Sequence, residues 1–260
     1  MYRYFEAIPD DDYPEAFMMA GKHLQSCIDN SSRSGFRWIK SQFSYPRFCD
    51  LAIAIDRRIY AILLVPVTRQ KKADGGEHAE ATFEIPSYER KVIMEESKRY
   101  GLIPVVFPLW VGVMQPLTKG WNLFSLPDLE AVNPDEQEPE SEPVAMSDWE
   151  KCNFRVTHVM QDMVRNKLSI RSYHDDPDLL PNIWFVDEDG NRAWAAVIPM
   201  EDPQASGIPT EIRLLRLRLS PEFRGYFARV GITRADGLSG DAIPRGAPLF
   251  VSYKGLEPAW

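Results

Sequence analysis

The segment Asp50-Leu-Ala-Ile-Ala-Ile-Asp-Arg-Arg-Ile-Tyr-Ala-Ile-Leu-Leu-Val-Pro66 decides how the first half of the chain folds. Two apolar runs flank the polar turn at residues 56–58, which predicts two strands, 48–55 and 59–67, joined as a hairpin. The second run has almost no polar interruption, so we expect it to be buried on both faces of a sheet.

Helices are predicted on both sides of this hairpin. Residues 13–28 have the apolar spacing of an amphipathic helix, and a strand is predicted at 36–43. After the hairpin, Ser87 is suited to cap a helix that ends at Gly101, and an apolar strand follows at 104–110. The predicted order is helix, strands, helix, strand.

A similar order recurs later in the chain. Residues 148–168 predict a helix. Residues 183–186 and 192–198 predict a hairpin, since the turn between them contains Asp189-Gly190. The hairpin segments 50–66 and 182–199 both end in proline, and the second is one residue longer. Internal duplication and chance similarity both account for this match.

The end of the chain is predicted as strand, short helix, strand. Residues 211–219 alternate leucine or isoleucine with arginine, which predicts a half-buried strand. Ser220-Pro221-Glu222 is typical of a helix start, and a last strand is predicted at 248–253. On a strand, three arginines would lie mainly on one face, which is either a solvated surface or a binding surface for an anion or acidic partner, the chain's own acidic linker included. These candidates are Arg213, Arg216 and Arg218.

We therefore predict an α/β (α+β) fold with two similar lobes, residues 1–126 and 148–260, each a helix, hairpin, helix and strand around a small mixed sheet. Residues 127–147 are predicted to be an exposed, mobile linker, because prolines and like charges oppose regular structure. Residues 127–150 hold nine acidic and no basic residues, so they contribute −9 to the net charge of −8 and the rest of the chain contributes +1. The lobes are near neutral, and no nucleic-acid partner is expected.

The sequence also predicts the compartment. The three cysteines form no C-x-x-C pair, so neither a disulfide framework nor a structural zinc site is indicated, and no metal or other cofactor is expected. The N-terminus lacks the features of a signal peptide, and no apolar run reaches the length of about 20 residues that spans a bilayer. We expect a cytoplasmic protein without a membrane partner. The sequence does not indicate its oligomeric state.

Around Asp50, residues 13–110 resemble the PD-(D/E)xK nuclease-like fold. In that family a helix with an acid precedes a hairpin that carries an Asp on one strand and Glu-x-Lys on the next, followed by a helix and a strand. The resemblance implies that Glu15 stands for the helix acid and Asp50 for the strand acid. It also implies a retained scaffold with a lost site, because Val65-Pro66-Val67 replaces the acid-x-Lys and an apolar strand end holds no Mg²⁺.

The leading functional hypothesis is a non-enzymatic protein-interaction module, such as an immunity protein or an accessory subunit of a bacterial toxin, secretion or defence system. One alternative is a divergent metal-dependent nuclease that uses Glu15 and Asp50 with Glu84 or Lys91. Another is a small-ligand or peptide-binding regulator that uses a crevice between the lobes. Residues 172–176, which include His174, are interpreted as a turn or cap rather than a catalytic cluster.

Overall fold

The computed structural model describes residues 13–42, 48–70, 80–83, 85, 87–110, 115–126, 128–140, 142–200, 207–236 and 242–260. It divides into two compact units. The described part of the first lobe lies within residues 13–42 and 48–142, and that of the second lobe lies within Pro143–Trp260. In the described residues, no helix is both long and apolar enough to cross a membrane.

In its described residues, the first lobe contains two helices and one mixed sheet. The helices are α1 (Tyr13–Asn30) and α2 (Ser87–Tyr100). The strands are β1 (Phe36–Lys40), β2 (Leu51–Ile55), β3 (Arg58–Gln70), β4 (Glu80–Phe83), β5 (Ile103–Trp110), β6 (Gln115–Pro116), β7 (Leu123–Ser125) and β8 (Ala131–Val132). The strand order is β1-β2-β3-β5-β7-β8, with β4 beside β3 and β6 beside β5.

The second lobe has the same kinds of element. Its described helices are α3 (Asp148–Arg165) and α4 (Thr210–Arg218). The strands are β9 (Ser169–Tyr173), β10 (Ile183–Val186), β11 (Arg192–Pro199), β12 (Arg224–Arg234), β13 (Leu249–Tyr253) and β14 (Glu257–Pro258). The strand order is β9-β10-β11-β12-β13, with β14 beside β12.

The two lobes share one topology, as the sequence predicted. In each, three antiparallel strands are followed by a helix that crosses over to a strand parallel to the third, β5 beside β3 and β12 beside β11. An antiparallel strand, β7 or β13, then follows. The α/β class with two sheet lobes is therefore confirmed.

Alternating side chains build the core on both faces of each sheet. In β2, Leu51, Ile53 and Ile55 pack with Leu24 of α1, while all five residues of the strand are buried. In the second lobe, one face packs on α3 through residues such as Phe185, and the other packs on α4. Burial on both faces explains the nearly continuous apolar runs that marked these strands in the sequence.

The predicted strand at 211–219 is wrong, because this segment forms α4. Ile212 and Leu215 are buried three residues apart, which is a helical spacing that the alternation of arginine and leucine concealed. A crossover between the parallel strands β11 and β12 requires such a connection. The predicted helix at residues 220–222 is also wrong, since these residues lie in the turn that leads into β12. Strands β9 and β12 were not predicted.

The prediction of a mobile acidic linker is corrected by residues 128–140, which we call the acidic segment. Strand β8 within it pairs with β7 of the first lobe. Pro134 is buried in a short 3-10 helix. Asp135 accepts hydrogen bonds from the indole Nε1 of Trp121, at 2.9 Å, and from the hydroxyl of Ser31. The segment is thus part of the first lobe.

Two arginines hold the rest of the acidic segment. Arg33 donates to the carbonyl of Pro134 at 3.0 Å and pairs with Asp56 at 2.7 Å. Arg58 Nε donates to a carboxylate oxygen of Glu140 at 3.2 Å. The acidic segment is therefore held in place by contacts of individual residues. Its overall amino-acid composition does not indicate these contacts.

The start of the second lobe is joined to a late loop of the same lobe. Ser147 and Glu150 form a capping box at the first turn of α3. The same Glu150 carboxylate binds Arg245 Nη2 at 2.8 Å, and both side chains are almost fully buried. Two backbone hydrogen bonds run alongside, one from Met146 to Ile243 and one from Arg245 to Val144.

We predict that Asp135→Ala exposes the acidic segment to the glutamate-specific protease Glu-C. The substitution removes the acceptor of two side-chain hydrogen bonds, which costs about 1–3 kcal/mol and raises the open population roughly tenfold or more. Limited proteolysis followed by mass spectrometry measures the cleavage rate after Glu136, Glu138 and Glu140. Asp128→Ala, at an exposed position, is the matched control. Equal cleavage of wild type and Asp135→Ala would contradict the docked arrangement.

Candidate functional site

Asp50 is the first residue that the resemblance singled out, and its carboxylate is committed to the fold. It lies directly before β2 and is only 1% exposed. The backbone N–H of Leu64 donates to Oδ2 at 2.7 Å, and the hydroxyl of Tyr13 donates to Oδ1. The backbone N–H of Asp50 in turn donates to the carbonyl of Ile62 at 2.8 Å. The side chain therefore joins β2, β3 and α1.

The remaining nuclease candidates do not gather around Asp50. Glu15 is exposed in the first turn of α1, and Lys91 lies on the surface of α2, 3.8 Å from Glu95. Val65 and Val67 are buried on β3, where the family would carry its acid and lysine. Glu84 lies outside the described residues. Within the described residues, no three His, Cys, Asp or Glu side chains are grouped so as to hold a metal ion.

Asn182 occupies in the second lobe the position that Asp50 occupies in the first. Its N–H donates to the carbonyl of Ala195 at 3.0 Å, and its Oδ1 accepts from the N–H of Val197 at 2.8 Å. In both lobes a polar side chain that precedes the second strand binds the backbone of the third. An amide oxygen can take the place of the carboxylate here because both accept a hydrogen bond from a backbone N–H.

The His174 cluster is a buried polar part of the second lobe. His174 Nε2 lies 2.7 Å from the carbonyl of Pro181, and Asn153 donates to Asp175 at 2.9 Å. Burial, together with nearby Asp175, raises the pKa of the Cys152 thiol to about 12, which keeps it protonated and unreactive. Asp176 accepts from the N–H of Asp178 at 2.8 Å, as the turn interpretation expects.

A pocket in the second lobe brings together side chains that are far apart in sequence. Its volume is about 490 Å³. Its lining includes Arg171 of β9, Arg192 of β11 and Arg218 at the end of α4, together with the aromatic residues Trp184 and Phe223. We call it the arginine pocket. It is lined by Arg171, Trp184, Phe185, Val186, Arg192, Ala193, Arg218, Leu219, Ser220 and Phe223.

Strand register explains how the sheet side of this pocket is built. Arg192 pairs with Val186 and Trp194 pairs with Trp184, so these four side chains share the face that α4 covers in part. Ser172 pairs with Trp184 but Ile170 pairs with Phe185, which leaves Arg171 as the extra residue of a β-bulge. Bulges redirect side chains, and here the bulge accompanies an arginine at the pocket wall.

The described residues that line the arginine pocket include three basic side chains and no acidic one. Elsewhere in this lobe arginines bind carboxylates: Arg224 pairs with Asp187 at 3.0 Å and Arg229 with Glu257 at 2.9 Å. In the part of the chain that the structure describes, Arg171, Arg192 and Arg218 have no such carboxylate within 4.0 Å. Counted over the described residues, the lining of the pocket therefore has a net positive charge.

The three arginines predicted as one stripe are separated by the helix. Successive residues of α4 rotate by about 100° around its axis, so Arg213 points outward with Leu214 and Leu217, while Arg216 and Arg218 lie on the two flanks. Arg216 stacks on the ring of Trp260, with its guanidinium 4.9 Å from the ring centre. Arg218 alone lines the arginine pocket.

Sequence reasoning missed Arg171, Arg192 and both aromatic residues of the pocket. Arg192 directly follows the hairpin turn that was predicted, and strand alternation places it on the face of Trp194. That pattern could have identified Arg192. Arg171 depends on a bulge in a strand that was not predicted, so the local sequence gave no indication of it.

Comparison of the chain with protein-family models, curated proteins and solved structures finds no match.

We predict that Asp50→Ala lowers the free energy of unfolding by about 2–4 kcal/mol, because the buried Leu64 N–H and the Tyr13 hydroxyl lose their acceptor. Asp50→Asn should cost less than Asp50→Ala, since Asn182 performs the equivalent role with an amide. Urea unfolding followed by circular dichroism measures both. Equal losses for the two variants would contradict a hydrogen-bonding role.

The same variants test the nuclease alternative. We expect no cleavage of plasmid, single-stranded DNA or RNA by the wild-type protein in Mg²⁺ or Mn²⁺, because an isolated carboxylate holds these ions poorly. Gel assays of the wild type and Asp50→Asn measure this directly. Metal-dependent cleavage that disappears in a folded Asp50→Asn variant would establish a nuclease.

Proposed function

We propose that this chain is a non-enzymatic protein-interaction module that binds a partner through the outward face of α4. The observation that carries the proposal is the composition of that face. Leu217 is 82% exposed and Leu214 is 49% exposed, and they lie three residues apart on the same side of the helix, with Arg213 beside Leu217. Exposed leucines beside a cation are typical of a surface that a partner covers.

The chemistry of the face indicates the kind of partner. Arg213 lies beside Leu217, and Arg216 and Arg218 lie on the two flanks of the helix, so the exposed leucines are bordered by positive charge. Acidic residues around an apolar stripe on a partner segment would complement both properties. The chain's own acidic segment is a poor candidate for this role, because Asp135 and Glu140 already bind groups of the first lobe.

Anchoring of α4 supports a rigid docking surface. Ile212 and Leu215 fix the inner side of the helix against the sheet, together with Trp194 and Phe227. Because the helix is already held in place, little conformational entropy is lost when a partner covers its outer side. Burial of Leu217 by a partner would contribute about 1.5–3 kcal/mol, and burial of the half-exposed Leu214 about half as much.

The contacts of Asp50 support the non-enzymatic part of the proposal. Asp50 accepts hydrogen bonds from Leu64 and Tyr13, which supports a role for this strand acid in folding rather than in metal chemistry. An immunity protein that neutralises a toxin, or an accessory subunit of a secretion or defence system, is the class of function that we propose on this basis.

We predict that Leu214→Ser/Leu217→Ser abolishes stoichiometric capture of the partner from lysate of the source cells. The loss should be at least tenfold, because 1.4 kcal/mol corresponds to a factor of ten in affinity. Quantitative mass spectrometry compares wild type, this variant and Val164→Ser. Val164 is 63% exposed on α3 and serves as the matched control.

The partner must be retained by Val164→Ser and lost from the folded double variant. Its captured sequence should contain an acidic segment with apolar residues at helical spacing. A partner that binds all three proteins equally, or no stoichiometric partner at all, would overturn the assignment of this face.

A further inference from the structure

The arginine pocket is distinct from the outward face of α4, since neither Leu214 nor Leu217 lines it. Three arginines from two strands and a helix end line this one space. Like charges repel one another, and water together with salt screens that repulsion only in part. A bound anion would relieve it, so the charge of the pocket favours an anionic ligand.

Phosphate is the anion that fits this charge best. Each guanidinium is a planar fork that binds two oxygens of a phosphate or carboxylate. A single carboxylate has two oxygens for three such forks, whereas a terminal phosphate has three oxygens and carries up to two charges. Three arginines from separate elements therefore match a phosphate group better than one carboxylate.

The aromatic wall indicates what the phosphate is attached to. The rings of Trp184 and Phe223 are nearly perpendicular, at 79°, with centres 5.3 Å apart. Both side chains are half-buried, so part of each ring faces the open space. Val186 and Leu219 extend the apolar lining. A planar ring in the ligand would cover this wall and gain stacking contacts.

Size separates such a ligand from a simple ion. The pocket volume of about 490 Å³ lies within the range of sites that hold small organic molecules. An inorganic phosphate bound by the arginines would leave the aromatic wall in contact with water. A ligand with an anionic end and a planar body fills both parts of the pocket.

We infer that the arginine pocket binds a small organic phosphate that carries a planar ring. Arg171, Arg192 and Arg218 bind the phosphate, and Trp184 with Phe223 contact the ring. A nucleoside monophosphate and the phosphorylated ring of a tyrosine share this chemistry. The inference does not rest on the proposed partner, because the pocket shares Arg218 with the flank of that surface but neither of its exposed leucines.

Isothermal titration calorimetry on the full chain tests the inference with four probes. These are AMP, phenyl phosphate, adenosine and inorganic phosphate, each titrated at 50 mM and 300 mM salt. The wild type is compared with Arg171→Ala/Arg192→Ala and with Arg165→Ala. Arg165 is an exposed arginine of the same lobe that does not line the pocket. Circular dichroism confirms that the variants are folded.

We expect AMP or phenyl phosphate to bind at least tenfold more tightly than adenosine and inorganic phosphate. The tighter of the two identifies a nucleotide or a phosphorylated tyrosine ring as the source. The double variant should lose at least tenfold in affinity, Arg165→Ala should keep it, and higher salt should weaken binding. Equal binding of inorganic phosphate and the ring phosphates would overturn the role of the aromatic wall.

Two further results would overturn the site itself. One is an affinity that is unchanged in Arg171→Ala/Arg192→Ala, and the other is no binding of either ring phosphate at millimolar concentration. Neither result bears on partner capture, which depends on Leu214 and Leu217. The two proposals therefore fail separately.

Discussion

A hydrogen bond from a side chain to the neighbouring strand fixes the register of each sheet. Asp50 binds the N–H of Leu64, and Asn182 binds the N–H of Val197. A slip of one residue between these strands would turn every core side chain toward the wrong face. The third strand also carries the parallel partner that follows the crossover helix, so the position of that strand depends on the same bond. A buried polar side chain without a hydrogen-bond partner raises the free energy of the folded state. The register that gives Asp50 and Asn182 their partners is therefore the favoured one.

This constraint gives a physical account of the resemblance around Asp50. A carboxylate at the start of a strand can bind a metal ion or accept hydrogen bonds from the backbone. The residues around it determine which of the two it does. Here a tyrosine hydroxyl and a backbone N–H use both carboxylate oxygens, while valines occupy the adjacent strand end. The occurrence of asparagine at the matching place in the second lobe is consistent with the same structural use.

Periodicity predicted the elements whose patterns are strong and local. The helices α1, α2 and α3 and both hairpins follow from apolar spacing, capping residues and turn residues. Helix α4 was not predicted, because residues 211–219 fit an alternating and a helical pattern equally well. The parallel pairing of β11 with β12 decides between the two patterns.

The residues of the arginine pocket were also predicted only in part. Arg218 was singled out because it lies in an arginine-rich run, whereas Arg171 and Arg192 join it only through sheet pairing and a bulge. The acidic segment was wrongly predicted to be mobile, because its overall composition favours disorder. Two individual residues, Pro134 and Asp135, nevertheless anchor it to the first lobe.

The buried pair of Glu150 and Arg245 has a consequence for synthesis of the chain. These residues are 95 positions apart, and the carboxylate that starts α3 meets its cation only after the loop near residue 245 has left the ribosome. The described elements of the first lobe, by contrast, have all emerged once Glu142 has been synthesised. The lobes should therefore fold in sequence during translation, the first while Glu150 of the second still lacks its cation.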